Sequence, residues 1–442
     1  MMTLSRIACV GVLGVRLFCF AGTSVAADSL GEARAAYEQQ KFPQTLALLD
    51  PLIGSGIGPA GALELRMRTY LKMGQSEKAI GDYNRLSAQR GKDDPALLRE
   101  LAMGVIAPAV LDMREQMRGA AVTALKEMGG ADTVPLLETA LADQSGMVRA
   151  LAVEGMARTG HAVHSDRLRK LIQDPAAMVR ERVVRAFGES RERKFIPVVE
   201  PLLKDDQPRV RAAAAAALVA LGRPEVLNLA LEELKHPKPD ERAGVLRVLG
   251  HLQDARVLTA IKAALTDREA IVRATAAGIL AERKDVGAVP AIAVLIKDPV
   301  PLVRGVAALS LARLEGATAA AVIEPLLQET VPAVRAEAAA ALLPYKPASA
   351  EPVLRASMQS QDPGVRSEVT RVLGQTGHPS AVPYLLELMR DATPRPRITA
   401  VRALGHLGSD KHIAVLKPLL TDSDVAVRVT AAGAIGRLLN GS

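Results

Sequence analysis

Residue types that commonly carry chemistry are sparse on this chain and poorly grouped. His161 and His164 stand three apart, a spacing that would let two imidazoles reach one metal ion from a helix. Gly160 and Ser165 flank them and favour a turn, so the pair reads as loop residues. His236, His251, His378, His406 and His412 are scattered. The two cysteines, Cys9 and Cys19, fall within the first twenty residues, and neither follows lipobox-like residues. No phosphate-cradling glycine loop, nucleophile elbow or cysteine-rich metal motif occurs. No catalytic residue, cofactor or metal is therefore assigned, and the chain reads as non-enzymatic.

Arginine is what recurs. Arg118, Arg149, Arg180, Arg211, Arg242, Arg273, Arg304, Arg335, Arg366, Arg397 and Arg428 follow one another at intervals of 31 residues without insertion or deletion. Arginine is only 40 of 442 residues, so eleven in one register mark a repeated structural unit. Six positions before the arginine stands Asp112, Asp143, Asp174, Asp205, Asp267, Asp298, Asp391 or Asp422; His236, Glu329 and Ser360 are the exceptions. A second basic set sits five positions after this arginine (Arg185, Arg247, Arg371, Arg402) and nine after it (Arg158, His251, Arg313, His406, Arg437). These offsets lie one helical turn apart, so stacked units would align them into a stripe. Guanidinium forks suit carboxylates, and Arg158, Arg185, Arg247, Arg313, Arg371 and Arg402 are the candidate partner-binding residues. Glu127, Glu154, Glu189 and Glu282 interrupt the stripe, and its plainer reading is a solvated face that keeps an alanine-rich rod soluble.

The elements that must position these residues are helices. Hydrophobic residues make up 49% of the chain, yet aromatics are 2% and Trp is absent; Ala, Leu and Val supply the bulk, which favours closely packed helices over sheets. Within the units, the positions three, four and seven after the arginine are almost all apolar, as in Val183, Val184 and Phe187, giving one helical face. Gly188, Gly222, Gly250, Gly374, Gly405 and Gly436 read as left-handed caps closing that helix. Pro135, Pro197, Pro290, Pro352 and Pro383 open the unit's other helix, where a missing N–H costs nothing.

The Asp and the Val–Arg pair six residues later resemble the signature of HEAT repeats, in the short HEAT-like form of phycobilin lyase subunits, over residues 96–442. The resemblance implies an all-α, right-handed α-solenoid of about eleven helical hairpins. It also implies a structural role for the Asp and Arg columns, a polar ladder between neighbouring units: Asp143, Arg149, Asp174, Arg180, Asp205, Arg211, Asp267, Arg273, Asp298, Arg304, Asp422 and Arg428. Eleven units at a layer spacing of roughly 9–10 Å predict an arc on the order of 100 Å, able to hold an extended partner. Within 28–95, Ala36, Tyr37 and Leu46, then Tyr70, Gly74, Ala79, Tyr83 and Pro95, resemble tetratricopeptide repeats, implying an N-terminal helical cap with a handover at 91–95.

Residues 1–27 read as a cleavable signal peptide, with Arg6, an apolar run from Ile7 to Phe20 and small residues Ser24 to Ala27. Its removal would leave a mature chain without cysteine and lower the net charge from +8 to +6, by loss of Arg6 and Arg16. The expectation is a periplasmic or secreted, non-catalytic scaffold for a protein partner, acidic or extended. An accessory subunit of a lyase or cofactor-handling enzyme is the alternative. Nucleic acid is disfavoured, because few aromatics are present to stack bases.

Overall fold

The computed structural model describes residues 29–54 and 58–440; the leader read over 1–27 lies outside them. The described residues are helical throughout, without strands, and form two compact units divided between Pro108 and Ala109. The first unit contains helices Phe42–Ile53, Ala60–Lys72, Ser76–Arg90 and Pro95–Ile106, so its last helix lies beyond the handover read at 91–95. Leu63, Met67, Tyr83, Leu86, Leu98 and Leu101 are its core. Arg66 ties three of its helices together, donating to Asp82 and Asp50.

The second unit holds eleven repeats, numbered here by ladder arginine from Arg118 to Arg428. Each contributes one long inner helix, from Glu115–Met128 in repeat 1 and Gly146–Arg158 in repeat 2 to Pro394–Leu407 in repeat 10 and Val425–Leu439 in repeat 11. Short outer helices that tighten into 3₁₀ turns connect them, as in Val289–Val294 followed by Leu295–Lys297. Pro135, Pro197, Pro290 and Pro383 sit at the first turns of outer helices. Pro352 instead lies inside Pro347–Met358, a helix that Pro347 opens. Pro301–Gln328 is apolar and long enough to cross a membrane by length and composition, yet Gly316, at φ 60°, breaks it into the inner helix Pro301–Glu315 and short outer turns.

The ladder explains why each inner helix starts where it does. Asp174 accepts from the backbone N–H of Ala176 at 2.8 Å, ordering the turn into Ala177–Ser190, and its carbonyl accepts from Arg180 at 2.9 Å. Its carboxylate takes both arms of Arg149 from the preceding repeat, at 2.8 and 2.7 Å. One Asp thus caps its own repeat and receives the previous one. The same fork joins Arg118 to Asp143, Arg180 to Asp205, Arg242 to Asp267, Arg273 to Asp298 and Arg366 to Asp391. Arg397 reaches Asp422 through one arm. Where His236 and Glu329 replace Asp, Arg211 turns to Glu233 and Arg304 to Glu329.

Inner helices stack directly on one another because small residues meet between them. A Cβ on Gly188 would lie 2.7 Å from Ala217, one on Gly374 2.7 Å from Ala403 and one on Gly405 2.9 Å from Ala434. These three glycines, with Gly436, sit inside helices, and Gly250 caps in right-handed geometry. Only Gly222 of the six read as left-handed caps has positive φ, at 97°. The others are absent side chains, selected for close approach.

The expected open arc is not what forms. The inner helix of repeat 11, Val425–Leu439, packs on that of repeat 1, Glu115–Met128, as it packs on its own neighbour Pro394–Leu407. The second unit is a closed ring. In a solenoid each repeat buries its flank on the next, and the last must end in a polar face. Here Val429 to Gly436 are all buried, between repeat 10 on one side, where Gly405 meets Ala434, and repeat 1 on the other, where Gly433 meets Ala124.

Candidate functional site

Closure turns the inner faces of the eleven repeats toward a common lumen. Eleven helices at roughly 8–10 Å spacing enclose a circle on the order of 30 Å between opposite axes, leaving a bore of about 20 Å between helix surfaces. The residues five and nine positions after the ladder arginine line it at repeats 3 to 7, and several touch across two repeats. Arg185 of repeat 3 reaches the Nε2 of His251 in repeat 5 at 3.0 Å. Arg313 of repeat 7 donates to the carbonyl of Gln375 in repeat 9 at 2.8 Å. Across the seam, Arg402 and His406 of repeat 10 lie 3.6 and 3.7 Å from Glu127 of repeat 1.

The stripe is therefore where the spacing put it, and part of its charge is matched, at Arg185, Arg371 and Arg402. Arg185 pairs with Glu189 at 2.9 Å, and Arg371 pairs with Glu368 and approaches Glu337 at 3.7 Å. Arg247 reaches only the hydroxyl of Thr275. Among the described residues Arg158, Arg247, Arg313 and Arg437 have no carboxylate within ion-pair distance, Arg313 reaching only the carbonyl of Gln375. A guanidinium can only donate, so His251 accepts at Nε2 and is neutral; burial, then Arg185, hold its pKa below the usual imidazole value.

The wall varies around the ring. At repeats 3 to 6 it hollows into a concavity of about 580 Å³ with Arg185, Arg247, Arg283, His251, Glu181 and Glu282 on its walls. Beside it, Ala213, Ala216 and Ala220 of repeat 4 present a smooth apolar strip. A third hollow at repeats 6 to 9, about 470 Å³, sets Val306, Leu309, Pro344 and Tyr345 against Arg313 and His378. The lumen offers both guanidinium forks and apolar patches.

Glu337 is the one buried carboxylate on this wall that sequence reasoning missed. It is 6% exposed and occupies the space left by Gly305 of repeat 7, whose Cβ would collide with its carboxylate. Burial pushes its carboxyl up to about 7, against the pull of Arg371 and with the help of Glu368. A Glu two positions after a ladder arginine, facing a Gly one position after the previous one, was the available signal.

His161 and His164 form no pair: His161 bonds the carbonyl of Thr159 through Nδ1, and His164 ends a short 3₁₀ turn. Among the described residues no three of His, Cys, Asp and Glu are grouped to hold a metal ion.

Family comparison agrees with the repeat register. The HEAT repeats family matches residues 105–182, 165–243, 227–312, 259–343, 319–398 and 386–442, together spanning the whole ring from its first inner helix onward. The chain belongs to the HEAT repeat family. Among solved structures, it is similar to human deoxyhypusine hydroxylase, at 19% identity over 57% of this chain and 98% of that one, with a TM-score of 0.29. It is also similar to the CpcE–CpcF complex of phycocyanin lyase from Nostoc, at 17% identity, 76% and 92% coverage and a TM-score of 0.23. Kap121p matches at 13% identity, 84% and 51% coverage and a TM-score of 0.35. No curated protein matches the chain. A HEAT-repeat scaffold of this kind is suited to interaction with other proteins.

Proposed function

We propose that this protein is a non-catalytic scaffold of the cell envelope, which holds an extended or helical segment of a protein partner inside its ring. The observation that carries this reading is closure. Every repeat faces the same enclosed space, so one bound segment touches several repeats at once. A bore of about 20 Å accommodates an α-helix, whose diameter with side chains is about 10–12 Å. The partner's chemistry follows from the wall: acidic side chains for Arg158, Arg247 and Arg437, and apolar ones for the Ala216 and Leu309 sectors. The signal-like leader supports export, and the tetratricopeptide-like segment would add a second protein-binding unit.

Site-specific photocrosslinking in living cells tests it. A photoreactive residue in place of Arg247, on the lumen wall, is compared with one in place of Val294, on an outer helix and 72% exposed. The lumen position is expected to capture one defined polypeptide from the envelope fraction, and Arg158→Glu with Arg437→Glu to reduce that capture. Capture from Val294 alone would contradict lumen binding.

A further inference from the structure

Nine of the eleven contacts between neighbouring repeats are bridged by a ladder ion pair, from Arg118–Asp143 through Arg397–Asp422. Two are not. Between repeats 8 and 9, Ser360 stands where the carboxylate would be, and Arg335 donates only to the carbonyls of Glu329 and Thr330 in its own repeat. Ser360 still performs the local half of the Asp role, since its hydroxyl accepts from the N–H of Asp362. The cross-repeat half is missing.

The second gap is the seam between repeats 11 and 1. Arg428 donates only to the carbonyl of Asp422, and Asp112, its counterpart in register, is taken by Arg114. The packing there is also displaced. In ordinary stacks the residue eight after the ladder arginine meets the residue six after the next one, as Gly188 meets Ala217. At the seam Gly433, five after Arg428, meets Ala124, six after Arg118, with 2.8 Å between its would-be Cβ and that of Ala124. The last helix has slipped by about one turn, roughly 5 Å, which carries Arg428 out of register with Asp112. The seam is the single ring contact that the chain does not span covalently.

We infer that repeats 9 to 11 form a door, hinged between repeats 8 and 9 and latched at the seam. The hinge keeps the continuous chain, the outer-layer pairs of helix Pro347–Met358 (Arg355 with Glu387, and Lys346 with Glu324) and, on the inner layer, the Arg371–Glu337 approach at 3.7 Å. Among the described residues the charged groups facing Glu337 are Arg371 and Glu368. The latch includes the Asn440 bond to the Met128 carbonyl and the approach of Arg402 and His406 to Glu127. A ring with such a door admits a chain from the side, including one whose ends are too bulky to thread. This inference stands on the ring geometry and is independent of what the lumen holds.

Spin-label distances on the full chain test it, with Cys9 and Cys19 replaced by serine. Labels at Met113→Cys and Ser423→Cys straddle the seam. Labels at Gln361→Cys and Ala392→Cys occupy the same offsets in repeats 9 and 10 and serve as reference. The seam pair is expected to show a second, longer distance that the reference pair lacks. Ser360→Asp, which supplies Arg335 with its missing carboxylate, should shrink that longer population roughly five- to tenfold, and Gly433→Val should enlarge it. One narrow seam distance in all three proteins would overturn the door. So would a long population that ignores Ser360→Asp, or one shared by the reference pair.

Discussion

The side-chain amide of Asn440 donates to the carbonyl oxygen of Met128 at 2.5 Å, across 312 residues of chain. That bond joins the last inner helix to the first, and with it a one-dimensional array becomes a ring. In an open stack, stability is a sum over repeats and the contacts between neighbours. Closure adds one more contact and leaves neither end face in water.

Two glycines at the same repeat offset separate ring from arc. Gly278 and Gly433 each lie five residues after their ladder arginine, but Gly278 meets nothing within 4 Å, whereas Gly433 packs on Ala124. Gly278→Ala should stabilise by about 0.5–1 kcal/mol, through helix propensity. Gly433→Ala should fail to gain this and destabilise, by about 1–3 kcal/mol of overpacking. Denaturant melts of the two variants decide it; equal gains would mean the seam is open.

Ladder pairs are structural and should register in stability alone. Arg273 and Asp298 have side chains only 12% and 5% exposed. Arg273→Ala leaves that carboxylate without its fork and should cost about 1–3 kcal/mol, leaving the far-ultraviolet dichroism of the folded state unchanged.

Acid should weaken the same contacts. The Arg366 fork holds Asp391 at about 2, below the ordinary 3.8. A depressed carboxylate contributes stability above its unfolded value and loses it as pH falls toward its folded one. Thermal melts should therefore drop between about pH 4 and 2, and less steeply in Asp391→Asn, which starts from a lower plateau.

Glu337 runs the other way. Its carboxyl, raised from 4.5 to about 7, makes the folded state bind the proton more tightly. Stability should decline as pH rises from about 4.5 to 7 and level off above. Glu337→Gln should remove that slope and stabilise at pH 8 by roughly 2–4 kcal/mol. A slope that persists in the variant would assign it to another group.

Ser360→Asp should stabilise the ring by about 1 kcal/mol, the net contribution of a charge-assisted pair at a partly exposed site. Arg335→Ala should matter in that background and little in the wild type; additivity of the two changes would show that no pair forms.

The repeat was legible because each unit contributes the same Arg and Asp columns, and the period alone placed the helices. The lumen-facing arginines followed from helical geometry. Glu127 and Glu189 were visible as acids interrupting the stripe, but the pairing of Arg185 with His251 and of Arg402 with Glu127 was not, because each joins residues two repeats apart. Gly188, Gly374 and Gly405 were misread as caps because a glycine near a helix end looks the same whether it turns the chain or admits a neighbour. Ring closure depends on a small rotation per repeat that no one residue encodes. Its trace was in the last helix, where Val429, Ala431, Ala432 and Ile435 leave no polar face for solvent.

The most direct test of the ring is a short bismaleimide crosslink between Met113→Cys and Ser423→Cys, in dilute full-length protein with Cys9 and Cys19 replaced by serine. A closed ring gives an intrachain bridge that accelerates migration in denaturing gels, in yield comparable to the Gln361→Cys, Ala392→Cys pair. An open arc would leave those ends tens of ångströms apart, at roughly 9–10 Å per repeat. Reference crosslinking without any seam product would contradict closure.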